Sequence, residues 1–162
     1  MAGKLGFNSC ITIPQFTSDG VGVCFHGDDH NKIAGLLRYN DGTVIPEDSV
    51  DNKTLRELTY NDLLGYSAGY KKNSIFIDMK VPTLDQFFKT CSLYNMNPIL
   101  SVHSTDNFSA STGREQFKYI KDLCIKWNVL SKLWIKSGND GVQSAAFSTF
   151  HREIGGYILL RG

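Results

Sequence analysis

The sequence predicts an α/β fold: a parallel sheet whose strands alternate with helices, reached through an N-terminal β-hairpin. Two observations carry this. From Pro82 to Leu160, helical and strand-like apolar patterns alternate. Before that, two runs rich in β-branched and aromatic residues flank Asp19-Gly20, a strong signal for a tight turn.

The first element is Ser9 to Phe16, which returns through Thr17-Ser18-Asp19-Gly20 into Val21 to His26. A two-residue turn at Asp19-Gly20 sets His26 opposite Ile13 and Phe16 opposite Val23. Pro14 cannot donate a ladder hydrogen bond, so its strand is expected to be exposed or interrupted there. Residues 27–53 read as a long polar connection, broken by the apolar patch Ile33 to Leu37 and a turn at Asn40-Asp41-Gly42. A connection of that length points to a function. Thr59 is placed as the N-cap of a short helix, with Asp62 three residues on.

Thr83 precedes a helix on which Leu84, Phe87, Phe88 and Cys91 share one face. Pro98 to Val102 reads as a buried strand. Phe117, Ile120, Leu123, Cys124 and Trp127 then recur at helical spacing, and Lys132 to Lys136 forms the next strand. Asp140 caps a predicted helix running to Ile154, Gly155-Gly156 ends it, and Tyr157 to Leu160 is the last strand. Alternation at this spacing requires right-handed crossovers and a parallel sheet.

With 162 residues the chain is expected to form a single domain, 1–162, with its own core. Its 41% hydrophobic content excludes a disordered chain. Seventeen basic against sixteen acidic residues leave a net charge of +1, so nothing steers it toward nucleic acid. Cys10, Cys24, Cys91 and Cys124 are too far apart for a C-x-x-C metal or redox motif and read as free thiols. The first residues do not resemble a signal peptide. No stretch reaches the roughly 20 apolar residues of a membrane span. The chain reads as soluble, in no particular compartment.

Phe16 to His26 resembles the segment of glycerophosphodiester phosphodiesterases in which a T-x-D-G turn leads through an apolar strand to a histidine. Asn40 to Thr43, Leu58 to Leu63 and Val81 to Phe87 are similar to that family's polar insertion, its D-L-T-x-x-E-L helix and its I-P-T-L-E-E segment. Pro98 to His103 falls where the family has a strand ending in glutamate and lysine. The resemblance implies a (β/α) TIM-like barrel with its site at the C-terminal strand ends. It also implies hydrolysis of glycerophosphodiesters by two histidines and a divalent cation held by three carboxylates.

Carried over residue by residue, that machinery is missing. The family's E-x-D pair falls on Ile11 and Ile13, and its third carboxylate on Ser101. The first histidine has no counterpart; the second matches His26, followed by Gly27 rather than aspartate. The length also allows only part of an eight-stranded barrel. A partial or modified barrel is therefore expected, non-catalytic and serving as a binding or structural module. The resemblance places such modules in phage tail, virion or cell-surface assemblies that recognise glycerophosphate-type polymers such as teichoic acids. Neighbouring protein chains would cover the open sheet edge.

His26 is the candidate catalytic residue, and a loop histidine is its structural alternative. Asp28, Asp29 and His30 form a cluster of potential ligands, although adjacent aspartates on a strand point to opposite faces. Ser101 and His103, at a strand terminus, are candidate substrate contacts. No metal or other cofactor is expected. The alternative reading is an active phosphodiesterase with Mg or Ca held by ligands relocated to residues 26–30. Trp127 and Trp134 read as core residues, and Lys118, Lys121 and Lys126 as a solvated helix face.

Overall fold

The computed structural model describes residues 6–26, 32–72, 75–102, 113–137 and 157–159. The helix predicted from Asp140 lies outside them. The chain groups into two compact units, Met1–Pro14 with Leu84–Gly162, and Gln15–Thr83.

The first unit is built on a four-stranded sheet. Strands β1 (Ser9–Thr12), β8 (Asn97–Val102), β9 (Trp134–Ser137) and β10 (Tyr157–Leu159) lie side by side in that order, and every pairing is parallel. Helix α2 (Leu84–Leu93) precedes β8, and α3 (Gly113–Lys126) lies between β8 and β9. The parallel α/β expectation is met, and among the described residues the sheet is open rather than closed into a barrel. Alternation along β8 and β9 points Leu100, Val102 and Ile135 to one face, where they are buried. The apolar stripes of the helices, Leu84, Phe88 and Cys91 on α2 and Phe117, Ile120 and Cys124 on α3, are buried as well. Phe88 and Phe117 have almost no exposed surface, and each such burial contributes about 1.5–3 kcal/mol.

Both helices end in the same way. The Met96 N–H donates to the Cys91 carbonyl (2.8 Å) and the Asn95 N–H to that of Ser92 (3.2 Å), with Asn95 left-handed at φ 52°. At the end of α3, Val129 donates to Cys124 (2.9 Å) and Asn128 to Ile125 (3.1 Å), with Asn128 at φ 54°. These are paired Schellman closures in which asparagine takes the left-handed position usually given to glycine. In each, the buried aliphatic residue that follows turns the chain toward the next strand. The helices are also tied to each other: Asp85 accepts from Trp127 Nε1 (2.9 Å) and pairs with Lys126 Nζ (2.7 Å).

The second unit is no plain polar connection. Strands β2 (Pro14–Phe16) and β3 (Gly22–Cys24) form a hairpin, β4 (Arg38–Tyr39) pairs with β5 (Tyr66–Ser67), and β6 (Tyr70–Lys72) with β7 (Ile75–Ile77). Residues spread over its whole length, among them Val23, Ile33, Leu37, Ile45, Leu55 and Val81, bury into one apolar cluster. The helix expected after Thr59 is α1 (Tyr60–Leu63). Thr59 Oγ1 accepts from the Asp62 N–H (3.1 Å), and the Asp62 carboxylate accepts from the Thr59 N–H (3.0 Å). The same reciprocal box recurs at Thr54 and Glu57, ahead of a 3-10 turn over Leu55–Glu57.

The predicted hairpin exists, but its register differs by one residue. Thr17 donates to the Val21 carbonyl (3.1 Å) and Gly20 to that of Thr17 (3.0 Å), with Gly20 at φ 78°. That is a three-residue loop with a glycine bulge, so Thr17 faces Val21 and the expected Phe16–Val23 and Ile13–His26 pairings do not form. Asn40-Asp41-Gly42 repeats the arrangement. Tyr39 donates to Thr43 (3.0 Å), Gly42 donates to Tyr39 (2.9 Å), and Gly42 has φ 87°. The first predicted strand is also divided: β1 ends at Thr12, and β2 begins at Pro14 with a different partner. Among the described residues no helix is long and apolar enough to cross a membrane.

Asn95→Ala and Asn128→Ala should each lower stability by about 1–2 kcal/mol, the cost of holding a side chain left-handed without asparagine's local hydrogen bonding. Asn→Gly at either position should be neutral or stabilising. Urea denaturation of the purified variants checks this, and an alanine variant as stable as the parent would contradict it.

Candidate functional site

Leu100, Val102 and Ile135 share one buried face of the sheet; the opposite face carries Ile11 and Ser101, two of the positions where the resemblance places the cation site. In the parallel register Ile11 stands beside Ile99, Ile99 beside Trp134, and Trp134 beside Tyr157. Partners in register project to the same side, so Ile11, Ile99 and Trp134 form an apolar row across three strands. Ile11 is 53% exposed, and Ile99 and Trp134 are half-buried. The next row places Ser101 beside Lys136. Ser101 is buried and Lys136 exposed. Trp134, expected in the core, belongs to this open face. Sequence reasoning did not single out Ile99 or Lys136, because alternation is invisible when both faces of a strand carry apolar residues.

These residues do not fit a hard divalent cation, which takes six or more oxygen ligands from carboxylates, carbonyls and water. Ile11 and Ile13 offer hydrocarbon where the resemblance requires carboxylates, and Ser101 offers one neutral hydroxyl. Among the described residues, no group of three or more histidine, cysteine, aspartate or glutamate side chains converges to hold a metal ion.

His26 lies just past the end of β3 in the second unit and is exposed. Asp28, Asp29, His30 and His103 lie outside the described residues. All four cysteines are free. Cys91 and Cys124 are buried, and burial drives the Cys124 thiol far above its ordinary value. A buried protonated thiol is a packing group.

Asp19, the acid of the T-x-D-G turn, is committed to structure. Its Oδ1 accepts from Thr17 Oγ1 (2.5 Å) and from the Tyr60 N–H at the start of α1 (3.0 Å), while the Ser18 N–H donates to the Leu58 carbonyl (2.9 Å). The Thr17 hydroxyl chiefly, helped by the Tyr60 N–H, holds the Asp19 carboxyl below its usual value. The turn thus docks onto the helix through an ionised carboxylate.

A surface cleft of about 410 Å³ runs beside α3, lined by Arg114, Glu115, Lys118, Lys121 and Asp122. Lys118 pairs with Asp122 one turn along the helix (2.6 Å), so charges of both signs face solvent there. This fits the expected solvated face. Lys126 instead turns to Asp85 and lies 5.0 Å from the centre of the Trp127 ring. Trp127 is therefore a half-buried clamp between α2 and α3 rather than a core residue.

No family model matches the sequence, and no curated protein matches it. Solved structures match in fold. A protein from Silicibacter pomeroyi assigned as a glycerophosphoryl diester phosphodiesterase superposes with a TM-score of 0.75 at 15% identity, over 94% of this chain and 53% of its own. A glycerophosphodiester phosphodiesterase from Parabacteroides distasonis gives 0.63 at 17% identity, over 98% and 54%. One from Agrobacterium tumefaciens gives 0.61 at 12% identity, over 94% and 55%. The fold of this chain thus resembles that of glycerophosphodiester phosphodiesterases, and the chain spans about half the length of each of these structures.

Because the Asp19 pKa is lowered in the folded state, its contribution is fully present above the unfolded value near 4. It is lost as pH falls through the folded value. Asp19→Ala should cost about 0.5–1 kcal/mol at pH 7, in the range of a lost helix cap. The difference from the parent should narrow progressively as pH falls below 4. Urea melts across that pH range measure this, and a deficit that persists unchanged in acid would contradict it.

Proposed function

We propose that this chain is a non-catalytic module with the phosphodiesterase-like fold, which binds rather than hydrolyses. The observation that carries this is Ile11, an aliphatic side chain standing 53% exposed on the open sheet face where the resemblance puts a metal-binding carboxylate. Ile13 and Ser101 extend the same replacement, and no cofactor is assigned to the site. The proposed ligand is a glycerophosphate-type polymer of the teichoic acid kind. Its phosphates and hydroxyls call for hydrogen-bonding side chains, and the proposed contacts are Ser101, His103, Asp28, Asp29 and His30, with His26 as a separate candidate. The proposed setting is a virion, tail or cell-surface assembly in which a neighbouring protein chain covers the open sheet edges.

Micromolar protein incubated with glycerophosphocholine and magnesium, calcium or manganese should release no glycerol 3-phosphate above a protein-free control. Calorimetric titration with a glycerol-phosphate polymer should give saturable binding. Cation-dependent release abolished by His26→Ala would overturn the reading in favour of an active hydrolase with ligands relocated to residues 26–30.

A further inference from the structure

We infer that Lys136 is the anion contact of this sheet face: its ammonium holds a phosphodiester of the polymer while the apolar row beside it takes the carbon linker. This rests on the reading above that the module binds a glycerophosphate-type polymer, and it assigns a residue which that reading leaves out. The motifs behind the resemblance end at His103, so they do not assign this position.

The register fixes which side chains share the face. Ser9 pairs with Asn97, Ile11 with Ile99, Ile99 with Trp134, and Ser101 with Lys136. All of them project to the same side. Serine hydroxyls, an asparagine amide and apolar groups accompany the ammonium, and no carboxylate stands among the described side chains of this face. The face is therefore cationic, with neutral polar groups around its charge. An approaching anion meets attraction there and no opposing acid.

The ammonium is also uncommitted. Elsewhere in the first unit Lys118 pairs with Asp122 and Lys126 with Asp85, Lys132 donates to Asn95, and Lys89 lies 5.6 Å from the centre of the Trp127 ring. Arg114 and Lys121 are engaged as well. Among the described residues the exposed Lys136 ammonium has no ion pair and no hydrogen-bond partner. It stands on a strand beside the buried Ser101 and the half-buried Trp134, rather than on a solvated helix.

The order of the rows suits a phosphodiester chain. Ile99 and Trp134 lie two residues back along their strands from Ser101 and Lys136, about 6.5–7 Å. One row offers a positive charge and the next offers hydrocarbon. Phosphates joined by short carbon linkers present the same alternation. Lysine serves such a ligand as a point charge, with no fixed fork geometry to satisfy.

Calorimetric titration with poly(glycerol phosphate) compares the parent with Lys136→Met, which keeps the aliphatic bulk and removes the charge. The variant should bind at least about 10-fold more weakly, in the range of a lost charge-assisted hydrogen bond. Lys136→Arg should keep most of the affinity, and Lys118→Met, on the solvated helix face, should bind like the parent. Both lysines are exposed, so every variant should keep the parent's circular dichroism. Parent-like binding by Lys136→Met, an equal loss in Lys118→Met, or Lys136→Arg binding no better than Lys136→Met overturns the inference and leaves the binding reading intact. A parent without saturable binding rejects that reading and the inference with it.

Discussion

A hard divalent cation is held only where several oxygen donors converge on one point, and the rest of this molecule's chemistry follows from that constraint. This face of the parallel sheet presents hydrocarbon in one row, Ile11, Ile99 and Trp134, and a hydroxyl and an ammonium, Ser101 and Lys136, in the next. The apolar row cannot ligate a cation or lower the pKa of a bound water. It can pack, exclude water and join another apolar surface.

The polar motifs that carry the likeness to phosphodiesterases divide along the same line. Asp19 fastens the hairpin turn to Tyr60, Thr59 and Asp62 close a capping box, and Asp41 accepts from the Thr43 N–H (2.8 Å) in the Asn40-Asp41-Gly42 turn. Each of these carboxylates is held below its usual pKa, chiefly by a threonine side chain for Asp19 and Asp62 and by the Thr43 backbone N–H for Asp41. Among the described residues these polar groups have backbone partners, while Ile11 and Ile13 stand where the resemblance places carboxylates.

The α/β architecture was legible because its determinants are local and periodic. Leu84, Phe88 and Cys91, and Phe117, Ile120 and Cys124, repeat at helical spacing, and Pro98 to Val102 is a short apolar run. The hairpin register was not, since Asp-Gly serves both a two-residue turn and a three-residue loop with a bulge. What selects between them here includes contacts from Ser18 and Asp19 to Leu58 and Tyr60, about forty residues away. The second unit's core escaped notice for a related reason: Ile33, Leu37, Ile45, Leu55 and Val81 come from turns and short strands with no common period. The Asn95 and Asn128 helix ends had a readable signal, an aromatic residue, asparagine and an aliphatic residue in succession, without the glycine that usually marks such a stop. At the site, the replacement of carboxylates by Ile11 and Ile13 was visible in sequence. The neighbours that turn it into a continuous apolar row needed the sheet register.

Calorimetric titration of the whole chain with manganese, which suits the same oxygen ligands as magnesium and calcium and is read easily by paramagnetic resonance, tests this most directly. The apolar face predicts no saturable binding and a free-ion resonance spectrum. Stoichiometric binding that broadens the spectrum, reverses with chelator and weakens on His26→Ala would contradict it.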